Sequence, residues 1–425
     1  MVQVDFREAF LTWLKVGCLS FGGPAGQIAL MHRIIVDEKK WVDEQRYLHA
    51  LNFCMLLPGP EATKLATYVG WLLHGVRGGL TAGILFVLPG AVVMLAMSLL
   101  YVLGQGVPLV DGALLGIKAA VLVIVVEALI RIGRRALKTR LLVGLAGGAF
   151  VGIHFFDLPF PLIVALAAVI GFYLSPAKQG FSSHPVPGRW RQFWIATIGG
   201  AALWWAPVGL SVALLGADHV FTDIGLFFSK LAVVSFGGAY ALMAYMAQQA
   251  VETYGWMSAP EMVDGLGLAE TLPGPLIKVT QFVGFLGAWR SPEPFSPLTS
   301  AVLGSALTTW VTFVPPILLI FAGAPFVEQL RSNPRLSSAL NAITAAVVGV
   351  ILNLTVWFAL HVLFARVAEA RAGPLRWYAF DPASIDLKVS ALALIAALLA
   401  FVLHRGLVQL VVVMAALGIA VRLLL

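Results

Sequence analysis

The stretch "SFGGPAGQ" at 20–27 sits inside the first apolar run of the chain and carries three glycines and a proline, both poor helix formers. A close copy, "SFGGAYAL", stands at 235–242, 215 positions further on. Sliding the chain against itself by that interval aligns 15–60 with 230–275 without a gap. Lys15 falls on Lys230, Trp41 on Trp256, and Leu57-Pro58-Gly59-Pro60 on Leu272-Pro273-Gly274-Pro275. The matches are glycines, prolines, lysines and tryptophans rather than leucines alone, so the chain reads as an internal duplication.

The 425 residues are 60% hydrophobic and 12% charged, against roughly 25% charged in soluble domains. Apolar runs near 8–33, 47–73, 79–103, 112–131, 141–155 and 160–174 precede a polar linker, "SPAKQGFSSHPVPGRWRQ" at 175–192. Further runs follow near 193–215, 223–250, 260–288, 298–322, 338–364, 388–404 and 407–424. The expectation is an all-α polytopic membrane protein of about 13 transmembrane segments, in two halves of six joined by a central helix, with Gly/Pro-broken helices. The corresponding domains are 1–175, a linker and central helix over 176–222, and 223–425.

Seven crossings separate the first segment from its copy, an odd number, so the halves are expected to be inverted across the membrane. That parity assumes each "SFGG" segment crosses completely; a re-entrant one would flip it. Arg131, Arg134, Arg135, Lys138 and Arg140 make one loop strongly basic, whereas 216–223 holds Asp218 and Asp223 and no Lys or Arg. An inside N-terminus and an outside C-terminus fit both. The loop at 33–46 disagrees, because it would lie outside yet carries Arg33, Lys39, Lys40 and Arg46, offset by Asp37, Glu38, Asp43 and Glu44. The net charge of +7 thus reports topology rather than nucleic-acid binding. The opening "MVQVDFREAFLTWLK" lacks the pattern of a cleaved signal peptide, so the first segment is expected to be retained. Cys18 and Cys54 lack disulfide or zinc spacing and read as packing residues.

A membrane helix interrupted by Gly and Pro frees backbone groups that can be satisfied only inside protein or beside a water-filled cavity. Paired breaks in corresponding positions of two halves mark substrate sites in secondary transporters, where half-helix N-termini face bound anions. Each half here has two breaks, "SFGG" and "LPGP". Small residues also serve plain helix packing, but four breaks at two repeated positions favour a lined cavity.

Four lysines give the substrate a sign. Lys15 and Lys230 precede each "SFGG" by five residues, and Lys64 and Lys278 follow each "PGP" within four. Ionisable groups within membrane segments face a cavity or a partner, so the set points to an anion, with snorkelling to the interface as the plain alternative. Glu61, Glu127 and Glu270 are the intramembrane carboxylates, either structural ion pairs or carriers of coupling protons. Gln27, Thr63, Thr67, Thr271, Thr280 and Gln281 offer neutral hydrogen bonds. A Walker-type phosphate loop, H-E-x-x-H and G-x-S-x-G are all missing from the sequence, which argues against an ATP-driven pump or a hydrolase. The eight histidines are scattered, and no cofactor or metal is expected.

The motif from Phe10 to Pro24, "LLPGPEATKLATYVGW" at 56–71, "GGLTAGILFVLPG" at 78–90, and the second-half "SFGG" and "TLPGP" resemble the chromate ion transporter family in its long two-domain bacterial form. The resemblance implies efflux of chromate across a bacterial inner membrane, conferring resistance, driven by the membrane potential or an ion gradient. Family motif positions transfer to Ser20, Phe21, Gly22, Gly23, Pro24, Pro58, Gly59, Pro60, Glu61 and Lys64, with Ser235, Gly237, Gly238, Thr271, Pro273, Gly274, Pro275 and Lys278 as second-half candidates. The second half departs: Ala239 replaces Pro24, Leu276 replaces Glu61, and Lys278 comes one residue sooner. A single asymmetric site is therefore expected. Sulfate, a tetrahedral dianion like chromate, stays open as substrate, as does inward permease or antiport action. An intramembrane enzyme is the remaining alternative. The expected partners are the oxyanion, the lipid bilayer and protons as a candidate coupling ion, with no nucleic acid; a homodimer stays open.

Overall fold

The computed structural model describes residues 4–21, 23–174, 190–236, 239–323 and 334–424. Short polar side chains start several of its helices. The Asp5 carboxylate accepts from Arg7 and Glu8 N–H ahead of α1 (Phe6–Leu19), Asp43 from Arg46 N–H ahead of α3 (Glu44–Leu56), and the Thr139 hydroxyl from Leu142 N–H ahead of α6 (Arg140–Phe156). Each satisfies a donor that the first helical turn leaves free. The other helices are α2 (Gly23–His32), α4 (Glu61–Leu103), α5 (Pro108–Ala136), α7 (Phe160–Tyr173), α8 (Trp190–Leu215), α9 (Val220–Val233), α10 (Ala239–Gln248), α11 (Ala259–Thr271), α12 (Val279–Arg290), α13 (Pro297–Gly323), α14 (Pro334–Leu363), α15 (Leu387–Ala397) and α16 (Leu407–Leu424). Among the described residues six helices are long and apolar enough to cross a bilayer: α4, α5, α8, α13, α14 and α16. The protein is an all-α polytopic membrane protein with one added hairpin, β1 (Val367–Ala372) and β2 (Leu375–Phe380).

The chain forms two compact units, each drawing on both halves of the sequence. One gathers Met1–Leu95, Phe172–Ala239 and Leu272–Leu340. Here the segments expected to cross near 8–33 and 47–73 fold back on themselves instead. Lys39 Nζ sits 2.6 Å from Glu8 Oε1, although a straight helix would hold residues 31 apart at roughly 45 Å. α1 and α2 are thus the limbs of a hairpin that turns beyond Ser20-Phe21. Likewise the rings of Phe53 and Tyr68 lie 5.2 Å apart, where a straight path would give roughly 22 Å, so α3 and the start of α4 form a second hairpin with "LPGP" at its tip.

α4 then doubles back once more. His74 (φ −136°) and Gly75 (φ 61°) leave helical geometry. Past them Gly78 runs so close to Gly70 that a Cβ on either would meet the other's carbonyl oxygen at 2.3 or 2.4 Å. His74 Nε2 lies 2.8 Å from the Val4 carbonyl, which ties this turn to the base of α1. The second half repeats the tie, with His219 Nε2 2.7 Å from the Glu293 carbonyl. Small residues also seat α12 on α13, where a Cβ on Gly304 would lie 2.8 Å from Gly284 O. The Trp310 indole donates to Leu203 O at 3.0 Å to hold α13 to α8.

The other unit comprises Ala96–Gly171, Tyr240–Thr271 and Asn341–Leu425. α5 meets α16 through Gly116, whose Cβ would lie 1.8 Å from Met414 O, and an apolar core of Ala120, Ile124, Leu392, Leu410 and Met414 closes over that contact. The strands pair antiparallel from Val367↔Phe380 to Ala372↔Leu375, with Gly373-Pro374 as the turn. Arg376 on β2, 2% exposed, reaches Asp157 at 2.9 Å and Glu252 at 3.4 Å, and donates to Ile153 O at 3.0 Å. Burial pushes the Glu252 carboxyl up from its ordinary range while Arg376 opposes the shift. The same burial, with Glu252 adjoining, raises the Tyr378 hydroxyl. The hairpin occupies the gap between the apolar runs near 338–364 and 388–404, to which the sequence reading assigned no element.

Candidate functional site

The four breaks meet in two crossed pairs. Gly59 N–H donates to Ser235 O at 2.9 Å, and Gly274 N–H donates to Ser20 O at 2.8 Å. Each "LPGP" tip therefore binds the serine that opens the opposite half's "SFGG", and the two bonds are related by the same 215-position interval as the sequence. This is where the donors freed by the helix breaks go. Both glycines hold left-handed backbone, φ +105° at Gly59 and +92° at Gly274. A Cβ would meet Pro316 of α13 at 2.5 Å from Gly59, and Gly90 of α4 at 3.2 Å from Gly274. The two tips thus rest on helices that themselves carry prolines, Pro89 in α4 and Pro315 with Pro316 in α13.

The four lysines separate into two kinds. Lys64 and Lys278 are each 1% exposed, while Lys15 on α1 and Lys230 on α9 are exposed. Lys64 Nζ donates to Leu57 O, and Lys278 Nζ lies 2.7 Å from Leu272 O and 2.5 Å from Pro273 O. The immediate partners of the buried ammonium groups are therefore carbonyls of the tips themselves. Buried charge has to be met by such close hydrogen bonds.

Neutral polar groups surround the crossing. Gln27 is buried, and its Nε2 donates to Gly274 O at 2.7 Å, joining α2 to the other half's tip. Ser20 Oγ donates to Val16 O at 2.6 Å, and Thr67 Oγ1 to Thr63 O at 2.8 Å. Gln281 Nε2 reaches Ala91 O and Ser305 Oγ, both at 2.9 Å. Thr63 Oγ1, Ser235 Oγ, Thr280 Oγ1 and Gln281 Oε1 are buried without a hydrogen-bond partner. Such atoms are costly unless water or a ligand meets them. Pro24 lies in the first turn of α2, while Phe21, Pro58, Pro60, Pro273 and Pro275 belong to the non-helical tips, and Gly23 has positive φ with open space where a Cβ would point. Gly22, Gly237 and Gly238 lie outside the described residues.

The carboxylates fall in three environments. Glu61 opens α4 directly after the tip and is part-buried. Glu127 approaches Arg131 at 3.8 Å along α5, both about half exposed. Glu270 is buried and accepts from the Tyr240 hydroxyl at 2.9 Å, and the neighbouring Thr271 hydroxyl donates to Leu268 O. A further pair escaped the sequence reading: buried Asp264 on α11 lies 3.1 Å from part-buried Lys118 on α5 and accepts from Tyr101 at 2.9 Å. Both partners are ionisable residues inside apolar segments, the signal that singled out Glu127. Their 146-position separation hides the pairing.

Half-helix N-termini, a buried cation and buried hydroxyls beside each pair are groups of the kind that suit a small anion. A family model described as "Chromate transporter" matches residues 7–172 and 222–421. The chain is 30% identical over 361 residues to a chromate transport protein of Pseudomonas aeruginosa, covering 82% of this chain and 80% of that protein. It is 27% identical over 347 residues to a probable chromate transport protein of Synechococcus elongatus, covering 81% and 82%. It is 26% identical over 355 residues to a chromate transport protein of Cupriavidus metallidurans, covering 81% and 80%. No solved structure matches the chain.

Proposed function

The chain belongs to the chromate transporter family, a family of transporters and not enzymes, and on that premise we propose that it exports chromate from a bacterial cell with the oxyanion held at the crossed breaks. The observation that carries this reading is the reciprocal exchange of Gly59 N–H to Ser235 O and Gly274 N–H to Ser20 O. Each bond joins two helix breaks beside a buried lysine and buried hydroxyls. Lys15, Lys230 and the acids Glu61, Glu127 and Glu270 complete the proposed set, the acids as candidates for proton coupling.

The proposed topology is two inverted repeats, 1–175 and 223–425, joined by a segment over 176–222. With both broken segments re-entrant, the passages between the bases of α1 and α9 are the second limb of α4, then α5, α6, α7 and α8. Five passages, like the expected seven, are odd, and dropping the short α6 and α7 keeps the number odd. Folding back also moves Arg33, Lys39, Lys40 and Arg46 to the same side as Arg77 and the basic run Arg131–Arg140. The discordant loop then agrees with a cytoplasmic N-terminus and a periplasmic C-terminus. On the other side, 104–107, 216–219 and 254–258 carry no Lys or Arg. The hairpin arginines there are ion-paired, Arg371 and Arg376 with Asp157 and Arg366 with Asp381.

Reconstitution into liposomes tests the function. Labelled chromate should move down an imposed gradient and slow when sulfate competes. Sulfate flux without chromate flux would make the protein a sulfate permease, and movement of neither would remove the oxyanion reading. Labelling of single cysteines at positions 40 and 217 from either side of the membrane tests the topology, which fails if both react from the same side.

A further inference from the structure

The turn after α11 directs several backbone carbonyls at one side-chain cation. Lys278 Nζ lies 2.7 Å from Leu272 O, 2.5 Å from Pro273 O and 3.5 Å from Gly274 O. The first half repeats one of these bonds: Lys64 Nζ donates to Leu57 O, the carbonyl 215 positions before Leu272. Both lysines are 1% exposed. We propose that each "LPGP" turn is a monovalent-cation site that the chain fills permanently with its own lysine, so that the tip stays closed without a dissociable sodium or potassium ion.

The physical case begins with the helix ends. α3 and α11 stop at the turns, and the last carbonyls of a helix lack intrahelical donors and carry the negative end of the dipole. In membrane transporters, unwound carbonyls at such ends coordinate free alkali cations. Here the same type of oxygen set closes on an ammonium, which offers three donors and no acceptor. Its 2.7 Å bond to Leu272 O has the length of a charge-assisted hydrogen bond. A plain snorkelling lysine would carry its head to water, yet these heads are directed inward, at the equivalent carbonyls of Leu57 and Leu272. A lysine whose main task was to touch the substrate would have little reason to spend its donors on its own turn. Lys64 and Lys278 are therefore positioning residues for the tips, and their charge reaches a bound anion through space.

If the cage is a cation site, vacating it should create a dependence on free cations. The test uses purified full-length Lys278→Ala and wild type, melted in potassium, sodium, methylammonium and choline chloride at equal ionic strength. The variant should gain a saturable rise in melting temperature with potassium or methylammonium over choline, by ligand linkage, and wild type should not. Lys278→Met, which refills the space with an apolar chain, should show no such response. Equal responses in variant and wild type, or no cation-specific response in Lys278→Ala, overturn the proposal. So does a Lys278→Ala protein that fails to fold in every salt, because a cage able to take a free ion would have folded around one. Lys64→Ala should show the same selective stabilisation, and its absence there would confine the site to the second turn. The melting readout needs no substrate, so the proposal and the chromate reading can fail separately.

Discussion

The two "LPGP" turns share a backbone and differ in what holds it. At 272–275 the turn is fixed by Lys278 on its carbonyls, by Gln27 Nε2 on Gly274 O at 2.7 Å and by its own bond to Ser20 O. At 57–60 it has the bond to Ser235 O, Lys64 on Leu57 O and the proline of α13 against Gly59. Leu242 stands where Gln27 would repeat, and Glu61 takes the place of buried Leu276. A duplicated scaffold must keep the backbone demands of its breaks, whereas its side chains are free to diverge. The divergence points to the second turn as an anchor and the first as the turn that carries titratable chemistry.

The largest effect should come from what the turns share. Gly59→Ala and Gly274→Ala each force a side chain into positive φ, costing about 1–3 kcal/mol before any clash. Gly59→Ala should be the worse, because its Cβ falls 2.5 Å from Pro316 against 3.2 Å from Gly90 at the other turn. Chromate flux in proteoliposomes should fall at least about tenfold in both, the factor that 1.4 kcal/mol represents. Near-normal flux in either would mean that its tip does not need the observed backbone.

Those shared demands were also the legible part of the sequence. Glycine and proline write backbone requirements directly, so the breaks, the duplication and the membrane class could be read from residues alone. Fold-back could not, because hydropathy measures the length of an apolar run and not its direction. The runs near 8–33 and 47–73 are each long enough for one crossing, and only contacts such as Glu8 with Lys39 show two limbs. The strand "VAEARA" at 367–372 is rich in alanine and weak in β preference, so pairing with β2 and Arg376 fixes it. The lysines were found as a set, but their division into buried and exposed pairs depends on which face of each helix packs.

Removing charge should separate the turns next. Lys278→Met orphans the larger set of carbonyls and should lower thermal stability more than Lys64→Met, by about 1–3 kcal/mol for buried acceptors left unmet. Lys64→Met should lose chromate flux at a smaller stability cost, because its turn carries Glu61. Melting curves and flux on the same preparations check both, and the reverse order would exchange the roles of the two turns.

Glu61→Gln should have a smaller effect, seen in pH dependence. An ionised carboxylate beside an oxyanion site repels the substrate, so wild-type affinity should be lower with the Glu61 carboxylate ionised than with it protonated. Glutamine resembles the protonated form and should flatten that dependence while raising affinity a few-fold at neutral pH. An unchanged profile in inverted vesicles would take Glu61 out of both coupling and binding.

The smallest effect is expected at Gln27→Leu, which gives the first half the residue that the second already has at Leu242. The variant loses the 2.7 Å bond to Gly274 O, a net contribution of about 1 kcal/mol for a neutral pair. Lys278 also approaches that carbonyl, at 3.5 Å, and the Gly274 N–H bond to Ser20 O does not involve the glutamine side chain. The anchor should therefore hold: a modest drop in melting temperature, with chromate flux within about fivefold of wild type, since a factor of ten would require about 1.4 kcal/mol. A loss of flux as deep as that of Gly274→Ala would show that Gln27 is not a spare fixing of the second turn. It would instead place the amide at the oxyanion, with its bond to Gly274 O as the resting position it leaves when substrate arrives.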